Sequence, residues 1–220
     1  FEALLHRDIA GVNDRLVSAC RNEGQGILIP FGAVNPTLPD WEEDLRRCHE
    51  QYRMPGIRVH PNYHGYALDD PRFERLLTMA ARRGMLVQLA AAMEDVRTQH
   101  PQLQVNDVDL QPLVGLMQKV PAARVLIMNL RSKASALGKL LTTSGISFDT
   151  SRVEATDGIA QLVRSVSPER VVFGSHAPFL IYEAGLIKLY ESQLSDDDRR
   201  AICASNAERL IAGNSAAGRN

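Results

Sequence analysis

Three of the six histidines fall in short segments dense with other groups able to bind or transfer protons. His60, Asn62, Tyr63, His64 and Tyr66 crowd one stretch of seven residues. A second stretch, from Met93 to Pro101, brings Glu94, Asp95, Arg97 and His100 together. An imidazole titrates near neutrality, at roughly pH 6.5, so it can serve as a general base or a metal ligand. A carboxylate beside an imidazole can act as an acid–base pair or hold a metal. Arg97 has the planar fork that grips a substrate carboxylate through two bonds. The bland alternatives are a helix start with a solvated charged face for Glu94–His100, and packing or hydrogen-bonding roles for His60 and His64. Asn129 and Arg131 follow an apolar run and could orient a carbonyl or carboxylate, Arg131 being otherwise a surface charge. Asp149 reads as a buried hydrogen-bond acceptor, and Asn35, before Pro36, as a turn residue. Gly174-Ser175-His176 is not a G-x-S-x-G elbow, so no serine nucleophile is indicated.

The elements that must position these groups are short apolar runs alternating with longer helical patterns. Strands are expected over 27–34, 56–60, 85–90, 124–130, 146–150 and 170–175, apolar enough to be buried on both faces of a parallel sheet. Asp40 is placed to cap a helix over 41–53. Asp70, Pro71 and Gly84 mark the start and stop of the next. Asp109 opens a third helix, and Thr156 with Asp157 a fourth. Ser195 with Asp198 resembles a capping box for the last. The polar tail 213–220 is expected to fray. Repeated β-then-α units imply right-handed crossovers and an α/β fold, either an open doubly wound sheet or most of a (β/α)8 barrel. No G-x-G-x-x-G or P-loop is present, which weakens the nucleotide-binding versions of the open sheet.

Lys and Arg number 25 against 26 Asp and Glu, a balance that gives no reason to expect nucleic acid or a membrane surface as partner. Cys20, Cys48 and Cys203 are widely spaced and odd in number, which argues against a disulfide framework and fits a cytoplasmic protein. No apolar run reaches the ~20 residues of a membrane span, and the start has no signal-peptide pattern.

Four segments, read in order, resemble the amidohydrolase-2 family of metal-dependent hydrolases. Gly56-Ile57-Arg58-Val59-His60-Pro61 is similar to that family's "G-I-K-L-H-P" strand, and Asp70-Pro71-Arg72-Phe73 to the "D-P-R-F" that opens the following helix. The runs 84–90 and 124–130 resemble its next two strands. Phe173-Gly174-Ser175-His176-Ala177-Pro178 resembles "F-G-S-D-x-P", and Ser205–Leu210 the closing "x-N-A-x-R-L". The resemblance implies a distorted TIM (β/α)8 barrel whose third through eighth strands are seen here. It implies one domain over 1–212, with the first two strands expected upstream of Phe1. Metal ligands in that family are an H-x-H pair on the first strand, histidines on the fifth and sixth, and an aspartate on the eighth. The last three positions fall here at Ala90, Asn129 and His176.

These substitutions leave two expectations. One is an amidohydrolase-like hydrolase for a small polar substrate that can bear a carboxylate, with water attack assisted by His176. Decarboxylation is a variant within that class. Substrate binding would draw on His60, Asn62, His64, Arg97, Asn129 and Arg131. Any metal, zinc being the expected one, would be held by His176, Glu94 and His100, or there would be none. The other expectation is a barrel that has lost its ligands and serves for binding or assembly. A homo-oligomer is expected in either case.

Overall fold

The computed structural model describes residues 2–95, 97–131 and 137–212, so the tail expected to fray lies outside the described residues. Six strands, β1 (Gly32–Ala33), β2 (Gly56–Val59), β3 (Leu86–Ala90), β4 (Arg124–Met128), β5 (Ile146–Asp149) and β6 (Val171–Val172), pair in parallel and in strictly sequential order. A doubly wound sheet reverses its strand order at a switch point. The unbroken order therefore selects the barrel.

Ten helices accompany the strands among the described residues: α1 (Glu2–Leu5), α2 (Ile9–Asn22), α3 (Trp41–Glu50), α4 (Pro61–His64), α5 (Pro71–Arg82), α6 (Gln111–Lys119), α7 (Gly158–Val166), α8 (Tyr182–Glu191), α9 (Asp196–Arg200) and α10 (Asn206–Ala212). The wide turn Ala201–Ser205 joins the last two. Asp70 caps α5 by accepting from Arg72 N at 2.8 Å, and Ser195 caps α9 by accepting from Asp198 N at 3.1 Å. Asp40 stands at the start of α3 but makes no capping bond, and α3 ends at Glu50, short of Arg53. Asp109 accepts from Gln111 N at 3.0 Å, so it holds the start of α6. Asp157 precedes α7 in a left-handed conformation and turns its carboxylate to Gln193 N and Arg164 instead.

Side chains alternate along each strand. Ile57, Val59, Val87, Leu89, Val125, Ile127, Phe148 and Val171 point outward into the main core, meeting Trp41, Leu45, Phe73, Leu77, Leu113 and Leu162 of the helices. The opposite face is the barrel interior, where Leu86, Leu126 and Val172 gather with Phe31, Met128 and Leu210. On the same face, Arg58, Gln88 and Ser147 share one register row with Leu126.

Two expected strands are much shorter than the sequence suggests. Only Gly32–Ala33 of 27–34 pairs, while Ile27, Leu28 and Ile29 are 79%, 58% and 52% exposed. Ile27 N bonds to Gly24 O in a turn, and Pro30 carries no N–H, so the run cannot extend the ladder. At the other edge β6 stops at Val172, because Phe173 N donates to Ile202 O at 2.8 Å and Gly174 N to Thr150 Oγ1 at 3.1 Å.

Both edge strands are satisfied by a buried asparagine. Ala33 N donates to Asn13 Oδ1 at 2.7 Å, and Asn13 Nδ2 returns a bond to Ala33 O at 2.9 Å. The amide of Asn13, on α2, thus takes the place of a neighbouring strand. Asn206 Nδ2 donates to Val171 O at 2.7 Å and to Pro168 O at 2.8 Å. Each device removes a template for edge-to-edge pairing. Replacing Asn13 by the similarly sized leucine strands both polar groups of Ala33, and we expect a loss of about 2–4 kcal/mol in chemical denaturation. Asn13→Asp, which keeps the acceptor, should lose less.

Candidate active site

The carboxyl ends of β2, β4, β5 and β6 converge on Asp149, which closes β5 and is 3% exposed. Its Oδ1 accepts from Asn129 N at 2.9 Å and from Ser151 Oγ at 3.0 Å. The same Ser151 hydroxyl lies 2.9 Å from Asn129 Oδ1, so one hydrogen is shared between the two oxygens. Asp149 Oδ2 has no hydrogen-bond partner among the described residues and rests against Gly174 of β6's extension, where an added Cβ would fall 2.5 Å away. Glycine is required there by space, since any side chain would collide with a buried carboxylate. Burial pushes the Asp149 carboxyl up to about 6, against the opposing hydrogen bonds of Ser151 and Asn129 and the charge of Arg58.

Asn129 and His176, at the ends of β4 and β6, both have left-handed backbones, with φ of 59° and 54°. These are residue types that tolerate that region, and the turn redirects each side chain at the strand end. His176 Nε2 lies 2.7 Å from Met93 O. A carbonyl only accepts, so Nε2 carries the hydrogen and Nδ1 the lone pair, a tautomer assigned from the partner. The ring stacks on Phe179, with centroids 4.8 Å apart and planes 8° from parallel. Burial lowers the His176 pKa, Met93 O acting against it and the charges of Arg152 and Arg58 with it. His176 is therefore a neutral imidazole at neutral pH. Lys188 of α8 donates to Ser151 O at 2.8 Å and Thr150 O at 3.3 Å, fixing the loop that follows Asp149.

On β2, Arg58 and His60 share the inward face. Arg58 Nε donates to Gln88 Oε1 at 2.9 Å. His60 is buried, its Nδ1 unpartnered among the described residues, and meets His64 edge-on with centroids 5.8 Å apart. Burial, then the His64 and Arg58 charges, hold the His60 pKa well below its ordinary value. His64 Nε2 donates to Ala3 O at 2.8 Å, tying α1 to α4. Leu4 of α1 packs on Ala90 and Met93, with Tyr63 and Phe179 alongside, as an apolar cover over the strand ends. Asn62 bonds Asn106 O at 3.1 Å and Tyr63 N at 3.0 Å, which orders the loop. A cleft of about 690 Å³ lies at the opposite end of the strands between Arg53, Arg83 and Ile211, away from these groups.

Other sequence-indicated residues are not brought to this group. Arg97 has a side chain 85% exposed and paired with Asp95 at 2.9 Å. His100 is exposed, its Nδ1 accepting from Gln102 N at 3.2 Å. Glu94 is half-buried, and Arg131 is bound by Asp107, Nε to Oδ2 at 2.9 Å. Among the described residues no three His, Cys, Asp or Glu side chains stand together as metal donors. Asn129 commits its amide oxygen to Ser151 and His176 its Nε2 to Met93, and His176, Glu94 and His100, expected as a donor set, are not gathered together among the described residues. Sequence reasoning passed over Arg58, Ser151 and Lys188. For Arg58 the signal was available, because it lies two residues before His60 on a strand and must share its face.

The burial of Asp149 has a measurable consequence. A carboxyl raised from 3.8 to about 6 on folding binds its proton more tightly in the native state, so its contribution to stability is present below pH 4 and lost as pH rises through 6. The full change is roughly 3 kcal/mol. Buried Asp44 is also raised to about 6 and adds to the same trend. We expect Asp149→Asn to flatten the decline in unfolding free energy between pH 4 and 6, measured by denaturant titration at each pH. An unchanged slope would contradict a buried, raised carboxyl.

The amidohydrolase family model matches residues 1–212. No curated protein sequence matches the chain. Several solved structures share its fold. A 2,6-dihydroxybenzoate decarboxylase complexed with 2,6-dihydroxybenzoate aligns with a TM-score of 0.76 at 15% identity, over 92% of this chain and 76% of that one. A 5-carboxyvanillate decarboxylase from Novosphingobium aromaticivorans, with bound manganese, gives 0.73 at 16%, over 95% and 74%. A dihydroxybenzoic acid decarboxylase from Polaromonas, with manganese and 2-nitroresorcinol, gives 0.69 at 14%, over 92% and 74%. Manganese, not zinc, is the metal in the latter two. The sequential parallel strands, the site at their carboxyl ends and the family match along nearly its whole length agree: this chain belongs to the amidohydrolase family and has its TIM-barrel fold.

Proposed function

We propose that the chain decarboxylates a small hydroxylated aromatic acid at the strand ends, using His176 as the proton carrier. The observation that carries this reading is the His176 imidazole, held by Met93 O with its Nδ1 lone pair left to act as a base. Decarboxylation is favoured over hydrolysis because the fold's solved neighbours act on carboxylated phenols. It also asks for proton transfer, which the His176 imidazole can supply. Nδ1 takes the proton of a phenolic hydroxyl beside the carboxylate and returns it to the ring carbon that bears the carboxylate. The bond to the carboxylate carbon then breaks, its electron pair restores the aromatic ring, and carbon dioxide leaves with a phenolate as product. The Met93–Tyr63–Phe179 surface supplies an apolar wall for the ring.

A ligand-binding barrel without catalysis is the second reading, favoured by Ala90 and Asn129 standing where the family resemblance places metal-binding histidines. The purified chain, offered 2,6-dihydroxybenzoate and 2-hydroxybenzoate with and without manganese, should release carbon dioxide. His176→Ala should lower that rate by about 10²–10⁴-fold with the melting temperature little changed. Binding without turnover in the native chain would select the second reading.

A further inference from the structure

Arg58 is a cation on the interior face of the sheet whose terminal nitrogens make no hydrogen bond among the described residues. It projects from the inward face of β2 and is largely buried. Its Nε is fixed by Gln88 Oε1 at 2.9 Å, while neither terminal nitrogen makes a hydrogen bond among the described residues. The guanidinium is close enough to Asp149, His60 and His176 for its charge to act on all three, yet it forms no ion pair with Asp149. His60 and His176 cannot serve as counter-charges, because an imidazole is neutral or cationic. Of the arginines around it, Arg131 is paired with Asp107, while Arg152 makes one long bond to Met93 O at 3.5 Å and keeps its Nε buried without a partner among the described residues. The two amino groups that make no hydrogen bond face open space and present the parallel donors that a carboxylate matches. The apolar surface of Met93, Tyr63 and Phe179 lies at the same carboxyl end of the strands.

We infer that Arg58 is the specificity residue of this site, gripping the carboxylate of an aromatic acid through its terminal nitrogens, with Gln88 holding the guanidinium in place. This rests on the reading that the strand ends take a carboxylate-bearing ligand. It adds which residue recognises that group and why an uncharged analogue is refused. Gln88 is a positioning residue: it touches Arg58 and not the ligand.

The test is calorimetric binding of benzoate, 2-hydroxybenzoate and the uncharged benzamide to the full chain and to three variants. The native chain should bind the two acids at least tenfold more tightly than the amide. Arg58→Met, whose apolar side chain is suited to the interior, should weaken acid binding about thirtyfold and abolish the preference over benzamide. Arg58→Lys should retain part of the preference as a point charge, and Gln88→Leu should lose part of it. The acid-to-amide ratio is insensitive to a general loss of stability, and circular dichroism melting checks that each variant is folded. Equal acid binding by the native chain and Arg58→Met overturns the inference, as does a native chain that binds neither acid. Arg58-dependent binding without carbon dioxide release would uphold Arg58 and defeat the decarboxylase reading. Turnover with unchanged KM in Arg58→Met would do the reverse.

Discussion

The burial of one carboxyl group organises this end of the molecule. Asp149 is enclosed at the end of a central strand, and its Oδ1 collects the Asn129 amide and the Ser151 hydroxyl. Those two bonds bend the chain at the end of β4 and fix the loop after β5. Oδ2 excludes any side chain at residue 174, so the end of β6 must be glycine. Three strand ends are thereby set relative to one another by a single group. A carboxylate so enclosed holds its position only while its partners satisfy it, which is why the loop after it is pinned a second time by Lys188.

The need to satisfy buried polar groups governs the sheet's edges as well. Parallel strands expose alternate backbone groups at an edge, and β1 and β6 each have one side without a strand among the described residues. Asn13 answers both groups of Ala33, and Asn206 answers Val171, while the wide turn at Ala201–Ser205 leaves Ile202 O available to Phe173 N. The asparagine of the closing sequence motif thus has a physical role, binding the last helix to the last strand.

Electrostatically the site is an unusual mixture. Its histidines are kept neutral by burial and by nearby cations, its one enclosed carboxyl is raised towards the neutral form, and Arg58 remains charged. Such a pocket has a net attraction for anions and a base in the correct tautomer beside it. Pushing titratable groups apart in this way is the usual means by which proteins divide acid, base and binding roles among neighbours.

The amino-acid sequence by itself determined the alternation of strand and helix, the Asp70 and Ser195 caps, and the segments that carry the family resemblance, because these depend on local periodicity and hydrogen bonds to near neighbours. It also marked His176 and Asn129 as strand-end residues. It could not determine where β1 and β6 stop, since their limits depend on Asn13, Ile202 and Asn206, from 20 to 35 residues distant. It likewise gave Arg97 and His100 the same standing as His60, and only the tertiary structure separates a side chain in water from one in the barrel. Arg58 is the clearest case. Its position within the strand was legible, but whether any other residue neutralises it is a question about every element packed around it, and only the folded chain answers that.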